Sequence, residues 1–235
     1  MKTRVTRAAL TLATLLPTFG CLEAGDDEPE LATDESEVIV GDVFPAANSG
    51  YVRLGTSQGG CSGTMMTNSF VLTAKHCFGP TDLAVPTNVS VMMSPQSTTA
   101  AAIMLHPSAD VALMRLTSPL AMNGSTTGFQ GLLYPLATNT LAPGSVLTCR
   151  GYGINDWNAE TGFGTLRTAD LPVRGVNFTW WFEWYDLAVN KNARGQFLAP
   201  GDSGGSCFKH MANGEKVLAG VTSTVYNHWD ATFNG

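Results

Sequence analysis

From Val38 onward the chain is built of short apolar runs separated by turn residues, and no long amphipathic helix can be read in it. SFVLTA (Ser69 to Ala74), NVSVMM (Asn88 to Met93), DVALMRL (Asp110 to Leu116) and KVLAGVTST (Lys216 to Thr224) are examples. Several alternate apolar and polar residues, which is the period of a half-buried strand. Asn-Gly, Pro-Gly and Ala-Pro steps punctuate them, as turns do. Many short strands at this spacing predict an all-β chain, either a sandwich or barrels. A length of 235 residues allows one large β unit or two small domains. A zone rich in Pro, Gly, Ser and Thr from Met122 to Asn139 is the candidate boundary between two halves.

The head of the chain has to be set aside before a core is counted. Lys2, Arg4 and Arg7 form a basic start, and Ala8 to Leu16 is an apolar run too short to span a bilayer. Together they predict an export signal over residues 1–20. Cys21 follows Gly20, which leaves two readings: a bacterial lipoprotein signal in which Cys21 is lipidated, or an ordinary secretory signal with an incidental cysteine. Thr18 stands where lipoprotein signals favour leucine. Residues 21–38 carry eight acidic side chains and no basic one. Such a segment cannot bury enough apolar surface to order itself, so it is expected to be a solvated tether or a propeptide.

The formal net charge of −6 comes mainly from that head; from Val38 on, eleven acidic and ten basic residues nearly cancel. Nucleic-acid binding, which needs a basic face, is not expected. Five cysteines in an exported chain leave one over after pairing. If Cys21 is the odd one, Cys61, Cys77, Cys149 and Cys207 can form two disulfides in an oxidising compartment.

Three segments carry chemistry. TAKHC (Thr73 to Cys77) sets His76 at the end of an apolar strand, where a bridge from Cys77 to Cys61 would pin its loop. HPSADVALMRL (His106 to Leu116) opens an apolar run with Asp110, and a buried carboxylate is costly unless something pairs with it. LAPGDSGGSCF (Leu198 to Phe208) sets Ser203 among glycines, which allow dihedrals closed to other residues and a close approach to the backbone. Taken singly, these could be a structural histidine, a solvated aspartate and a surface turn. Taken in the order His, Asp, Ser, they resemble the signature segments of the chymotrypsin-like (trypsin-like) serine proteases, from about Ile39 to near the C-terminus. CRGYG (Cys149 to Gly153) resembles the family's Gly-Trp-Gly strand with tyrosine for tryptophan, and AGVTS (Ala219 to Ser223) resembles the strand lining the substrate cleft. Lys75 replaces the family's alanine at an outward-looking position.

The resemblance implies two antiparallel Greek-key β-barrels, over residues 39–132 and 133–235, with the active site in the cleft between them. It implies an exported serine endopeptidase with polypeptide substrates, no cofactor and no metal, acting as a monomer in the periplasm, at the outer membrane or outside the cell; membrane anchoring would run through lipidated Cys21. Ser203 would be the nucleophile, His76 the general base and then acid, and Asp110 the group that orients the imidazole. The N–H groups of Gly201 and Ser203 would form the oxyanion hole. Asp202 would pair with an ammonium freed at Ile39 of IVGD. Val38 and Glu37 replace the basic residue that normally precedes that terminus, and no basic residue lies between Arg7 and Arg53, so a trypsin-like activator is not expected: either another protease cuts there or the terminus is never freed.

Phe197 stands where family members that cut after Lys or Arg carry aspartate. The pocket, with Phe197, Leu198, Ser223 and Val225, is therefore expected to favour uncharged, apolar side chains, although Asp230 could reach it from the other wall and leave a basic preference open. The implied disulfides are Cys61–Cys77 and Cys149–Cys207, the second slid along its strand pair by opposite shifts of two residues. After Ser223 only twelve residues remain, without helical periodicity, so a second barrel left incomplete at its end is expected. The rival reading from another class is an inactive homologue serving as an exported binding protein; an esterase using the same three residues is a second.

Overall fold

The computed structural model describes residues 41–122, 141–156, 159–180, 183–226 and 230–234, with side chains omitted at 177–180, 183–186, 225–226 and 230–234. The first half holds β2 (Tyr51–Thr56), β3 (Gly59–Thr67), β4 (Phe70–Thr73), β5 (Ser90–Met93), β6 (Gln96–Leu105) and β7 (Ala112–Leu116). These close into a barrel in the order β2-β3-β4-β7-β6-β5. Strict alternation drives the closure: Val52 and Leu54, Val91 and Met93, and Ala112, Met114 and Leu116 are buried, while the residues between them are more exposed. Residues two apart share one face of a strand, so each run commits one side to a common interior, shared with Met65, Val71 and Ala100.

The second half holds β8 (Val146–Gly151), β9 (Arg167–Trp180), β10 (Glu183–Asn190), β11 (Ser206–His210), β12 (Lys216–Tyr226) and β13 (Asp230–Asn234). The pairs β8–β9, β9–β10, β10–β13, β13–β12, β12–β11 and β11–β8 close a second ring, and β1 (Asp42–Val43) adds to the side of β9. The incomplete second barrel expected from the sequence is corrected here. Five of the last residues form β13, which pairs with β10 on one side and β12 on the other, so its backbone groups are satisfied in two ladders and no strand of the ring is left as an edge. Leu147, Leu171, Val173, Leu187, Val189, Phe197 and Leu198 make its core.

Cys149 and Cys207 face each other in the β8–β11 register and are joined, as are Cys61 and Cys77. A third apolar cluster joins the halves: Tyr51 of β2 packs with Tyr152, Leu166, Phe208 and Leu218. Tyr152 donates its hydroxyl to the Tyr51 carbonyl at 3.0 Å, and the hydroxyls of Thr64 and Ser206 bond each other across the same seam. Away from this seam, buried Asp82 in the short helix α1 (Pro80–Ala84) accepts the N–H of Gly79 and both the N–H and hydroxyl of Ser57. These bonds offset the cost of burying its carboxylate and fasten the β2–β3 turn. The expected division at 132/133, residues 1–20 and residues 21–38 lie outside the described residues, and among the described residues no helix is long and apolar enough to cross a membrane.

Candidate active site

Strand register brings His76 and Asp110 together. β4 and β7 are antiparallel with Thr73 opposite Ala112, so the chain leaving β4 and the chain entering β7 emerge at the same end of the first barrel. A single 3-10 turn, Lys75–Cys77, carries His76 there, and the Cys61–Cys77 bridge holds that turn to β3. The backbone N–H of His76 donates to Asp110 Oδ1 at 2.8 Å, and its Nδ1 lies 2.6 Å from Asp110 Oδ2. The imidazole is the exposed partner, at 45% against 17% for the carboxylate. Ser223 donates its hydroxyl to Asp110 Oδ2 at 2.6 Å. Burial pushes the Asp110 carboxyl up, but the hydrogen bonds from His76 and Ser223 outweigh it and hold the group below its usual range.

Ser203 sits in the turn before β11, half-buried. Its hydroxyl lies 3.5 Å from the carbonyl of Ser223, so Ser223 touches both Ser203 and Asp110. The turn is tied down on each side. Ser62 of β3 donates its N–H to the Ser203 carbonyl at 2.8 Å and its hydroxyl to the Gly201 carbonyl at 2.7 Å, while accepting the N–H of Tyr152 at 2.9 Å. Gly204 donates to the Thr222 carbonyl at 2.7 Å. Gly201 has φ +91° and Gly204 φ +83°, the left-handed region that favours glycine, and a Cβ at Gly204 would collide with the Thr73 hydroxyl. Among the described residues no acceptor takes the N–H of Gly201 or of Ser203.

Asp202 is buried beneath that turn. Its carboxylate accepts Gly153 N–H at 2.8 Å and Ala199 N–H at 3.0 Å. The Gly-Tyr-Gly run makes room for it: a Cβ at Gly153 would come within 2.7 Å of the carboxylate, and one at Gly151 would overlap it. Burial pushes its pKa from 3.8 to about 6, against the backbone bonds from Ala199 and Gly153 and the charge of Arg167, which pull it down. A carboxyl raised above its unfolded value favours the fold fully below about 4, and that contribution is lost as pH rises through about 6. By neutral pH the ionised group costs about 3 kcal/mol. In the chain kept uncut at Val38-Ile39, the urea stability of the wild type relative to Asp202→Asn is expected to fall by about 2–3 kcal/mol between pH 4 and 7. A difference that stays flat across that window would mean that burial does not govern Asp202.

Asp110 thus bonds both His76 and Ser223, and Ser223 in turn lies against the Ser203 hydroxyl, with Gly201 and Asp202 in the same turn as Ser203. Phe197 and Leu198 are only 2% and 3% exposed, packed into the second core. Ser223 is buried beside Asp110, whereas Val225 lies in β12 with its side chain outside the described residues. Ile39 and Cys21 lie outside the described residues. Cys61, His76 and Cys77 are the described cluster spaced like metal ligands, but both sulfurs are committed to the disulfide. The bonds from Ser62 to Gly201 and from Ser223 to Asp110 were not anticipated, and no local signal in the sequence announces them.

Residues 39–233 match the family model described as Trypsin. Over 176 residues the chain is 31% identical to an uncharacterized peptidase of Corynebacterium glutamicum strain R, and equally to a related peptidase of strain ATCC 13032. Each match covers 73% of this chain and 56% of the relative, so the chain spans a little over half the length of these relatives. Among solved structures it is similar to the scabies mite inactivated protease paralogue S-D1, with a TM-score of 0.67 and 18% identity over 83% of this chain and 91% of that one.

Proposed function

The chain belongs to the trypsin family, and from that premise we propose that it is an exported serine endopeptidase whose Ser203, His76 and Asp110 act as one unit on polypeptides. The observation that carries the proposal is the continuous bonded path from Ser223 through Asp110 to His76, with the Ser203 hydroxyl against the same Ser223. Ser203 Oγ attacks the scissile carbonyl while His76 Nε2 takes its proton. Asp110 accepts Nδ1–H, fixes the tautomer and stabilises the imidazolium. Charge developing on the carbonyl oxygen is received by the N–H groups of Gly201 and Ser203. His76 then passes its proton to the leaving amine as the C–N bond breaks. Water, deprotonated by the same imidazole, releases the acyl group.

The finer parts of the proposal rest on the sequence. The signal at 1–20 exports the chain; the acidic stretch 21–38 is its tether or propeptide, with Cys21 the candidate lipid anchor; the two barrels divide at 132/133, and the enzyme works as a monomer. Cleavage at Val38-Ile39, by a protease that does not need a basic residue there, supplies an ammonium to Asp202, whose burial without a full positive partner is costly. An apolar floor at Phe197 favours cleavage after uncharged side chains. A fluorophosphonate probe followed by a peptide-library digest tests this reading. Labelling of Ser203 with cleavage after apolar residues is expected. Absence of labelling favours the binding-protein reading, and labelling with ester but no peptide turnover favours an esterase.

A further inference from the structure

Phe163 is a large apolar side chain left 38% exposed beside the site. It comes from the loop between β8 and β9, and its ring lies against two glycines from opposite halves of the protein. A Cβ on Gly60, at the start of β3, would fall on the ring itself, and a Cβ on Gly201 would stand 2.8 Å from it. Gly201 is further confined by the Cα of Gly153, 3.1 Å from the same position. The loop bearing Phe163 is anchored to the turn it supports: Ile154 donates to the Pro200 carbonyl at 3.0 Å, Asn155 to Thr161 at 2.8 Å, and Gly164 to Tyr152 at 2.9 Å. Arg53 covers the outer side, its guanidinium carbon 5.7 Å from the ring centroid.

We propose that Phe163 is a positioning residue for the oxyanion hole: wedged between Gly60 and Gly201, its ring holds the Pro200-Gly201 peptide with the Gly201 N–H aimed at the reacting oxygen. The inference rests on the function proposed above. Gly201 needs such a brace because its φ of +91° lies where glycine is mobile. Ser62 holds the Gly201 carbonyl and Ile154 holds the Pro200 carbonyl, so both peptides flanking Gly201 are tied at their oxygens, while the open space at the Gly201 Cα is filled by the Phe163 ring. Misdirecting a single donor weakens the transition state and leaves substrate binding nearly unchanged. Gly60 has no positive φ, so alanine is tolerated by its backbone and can act only by displacing the ring.

The test is a double-mutant cycle on the whole chain. Phe163→Ala is expected to lower kcat about tenfold at unchanged KM, and Phe163→Tyr to restore it. Gly60→Ala should reproduce the loss, and adding Gly60→Ala to Phe163→Ala should cost nothing further, because both act through one ring. A peptide aldehyde, which forms the oxyanion, should bind about tenfold more weakly to Phe163→Ala, while a product peptide binds equally. Unchanged kcat in either single variant, a loss confined to KM, or effects that multiply in the double variant would overturn the proposal. Wild-type labelling of Ser203 by a fluorophosphonate is read separately, so failure of the triad is distinguishable from failure of this brace.

Discussion

Ser203→Ala is expected to lower kcat by roughly a millionfold and to leave the fold intact. The side chain is half-buried, and its one described bond, at 3.5 Å to the Ser223 carbonyl, is too long to support the structure. Its backbone does the structural work through the carbonyl bonded to Ser62 N–H at 2.8 Å, which alanine retains. The loss is therefore one of chemistry. His76→Ala should cost about as much, and the double variant no more than either, because groups that act in one step are not additive. Rates measured with a peptide substrate, beside urea unfolding of each variant, check this. Turnover of Ser203→Ala within tenfold of wild type would place the nucleophile elsewhere.

Much of this arrangement is legible in the sequence because it is local. Alternation in SVMM and ALMRL names the faces that β5 and β7 bury, since a strand reads its burial with period two. The cysteines are legible once a register is assumed, and Cys149 does lie opposite Cys207. What escapes is non-local. Ser62 reaches Gly201 across 139 positions and Ser223 reaches Asp110 across 113. A serine in a strand gives no sign of which distant carbonyl or carboxylate it meets. Nor does the sequence show that the ring of Phe163 lies against both Gly60 and Gly201, leaving no room for a Cβ at either.

The C-terminal run is hard to read from sequence for a related reason. DATFN is short and weakly patterned, so by itself it offers only part of a strand. Its place is set by partners: Ala231 pairs with Val189 on one side and Val225 on the other. Two ladders satisfy its backbone, and pairing of that kind does not depend on the propensity of the inserted strand. Phe197 shows the converse limit. Its apolar character was evident, but its position, 2% exposed in the second core, follows from packing that position in the chain does not reveal.

Asp110→Asn is expected to lower kcat by about ten-thousandfold, less than loss of the nucleophile and through a different cause. The carboxylate accepts three bonds: His76 N–H at 2.8 Å, His76 Nδ1 at 2.6 Å and the Ser223 hydroxyl at 2.6 Å. Asparagine offers one oxygen and one NH2. Its oxygen can keep the His76 backbone N–H, which turns the NH2 toward Nδ1. A donor facing Nδ1 stabilises the tautomer with the proton on Nε2, the nitrogen that must receive the proton of Ser203. The geometry survives while the base is disabled. Ser223 can adapt, since a hydroxyl accepts as readily as it donates, so stability should change far less than rate. The fluorophosphonate labelling rate of Ser203 should fall in parallel with peptide turnover, because both need the same base. Labelling of Asp110→Asn at the wild-type rate would show that His76 takes its tautomer from some other group and that Asp110 only supports the loop.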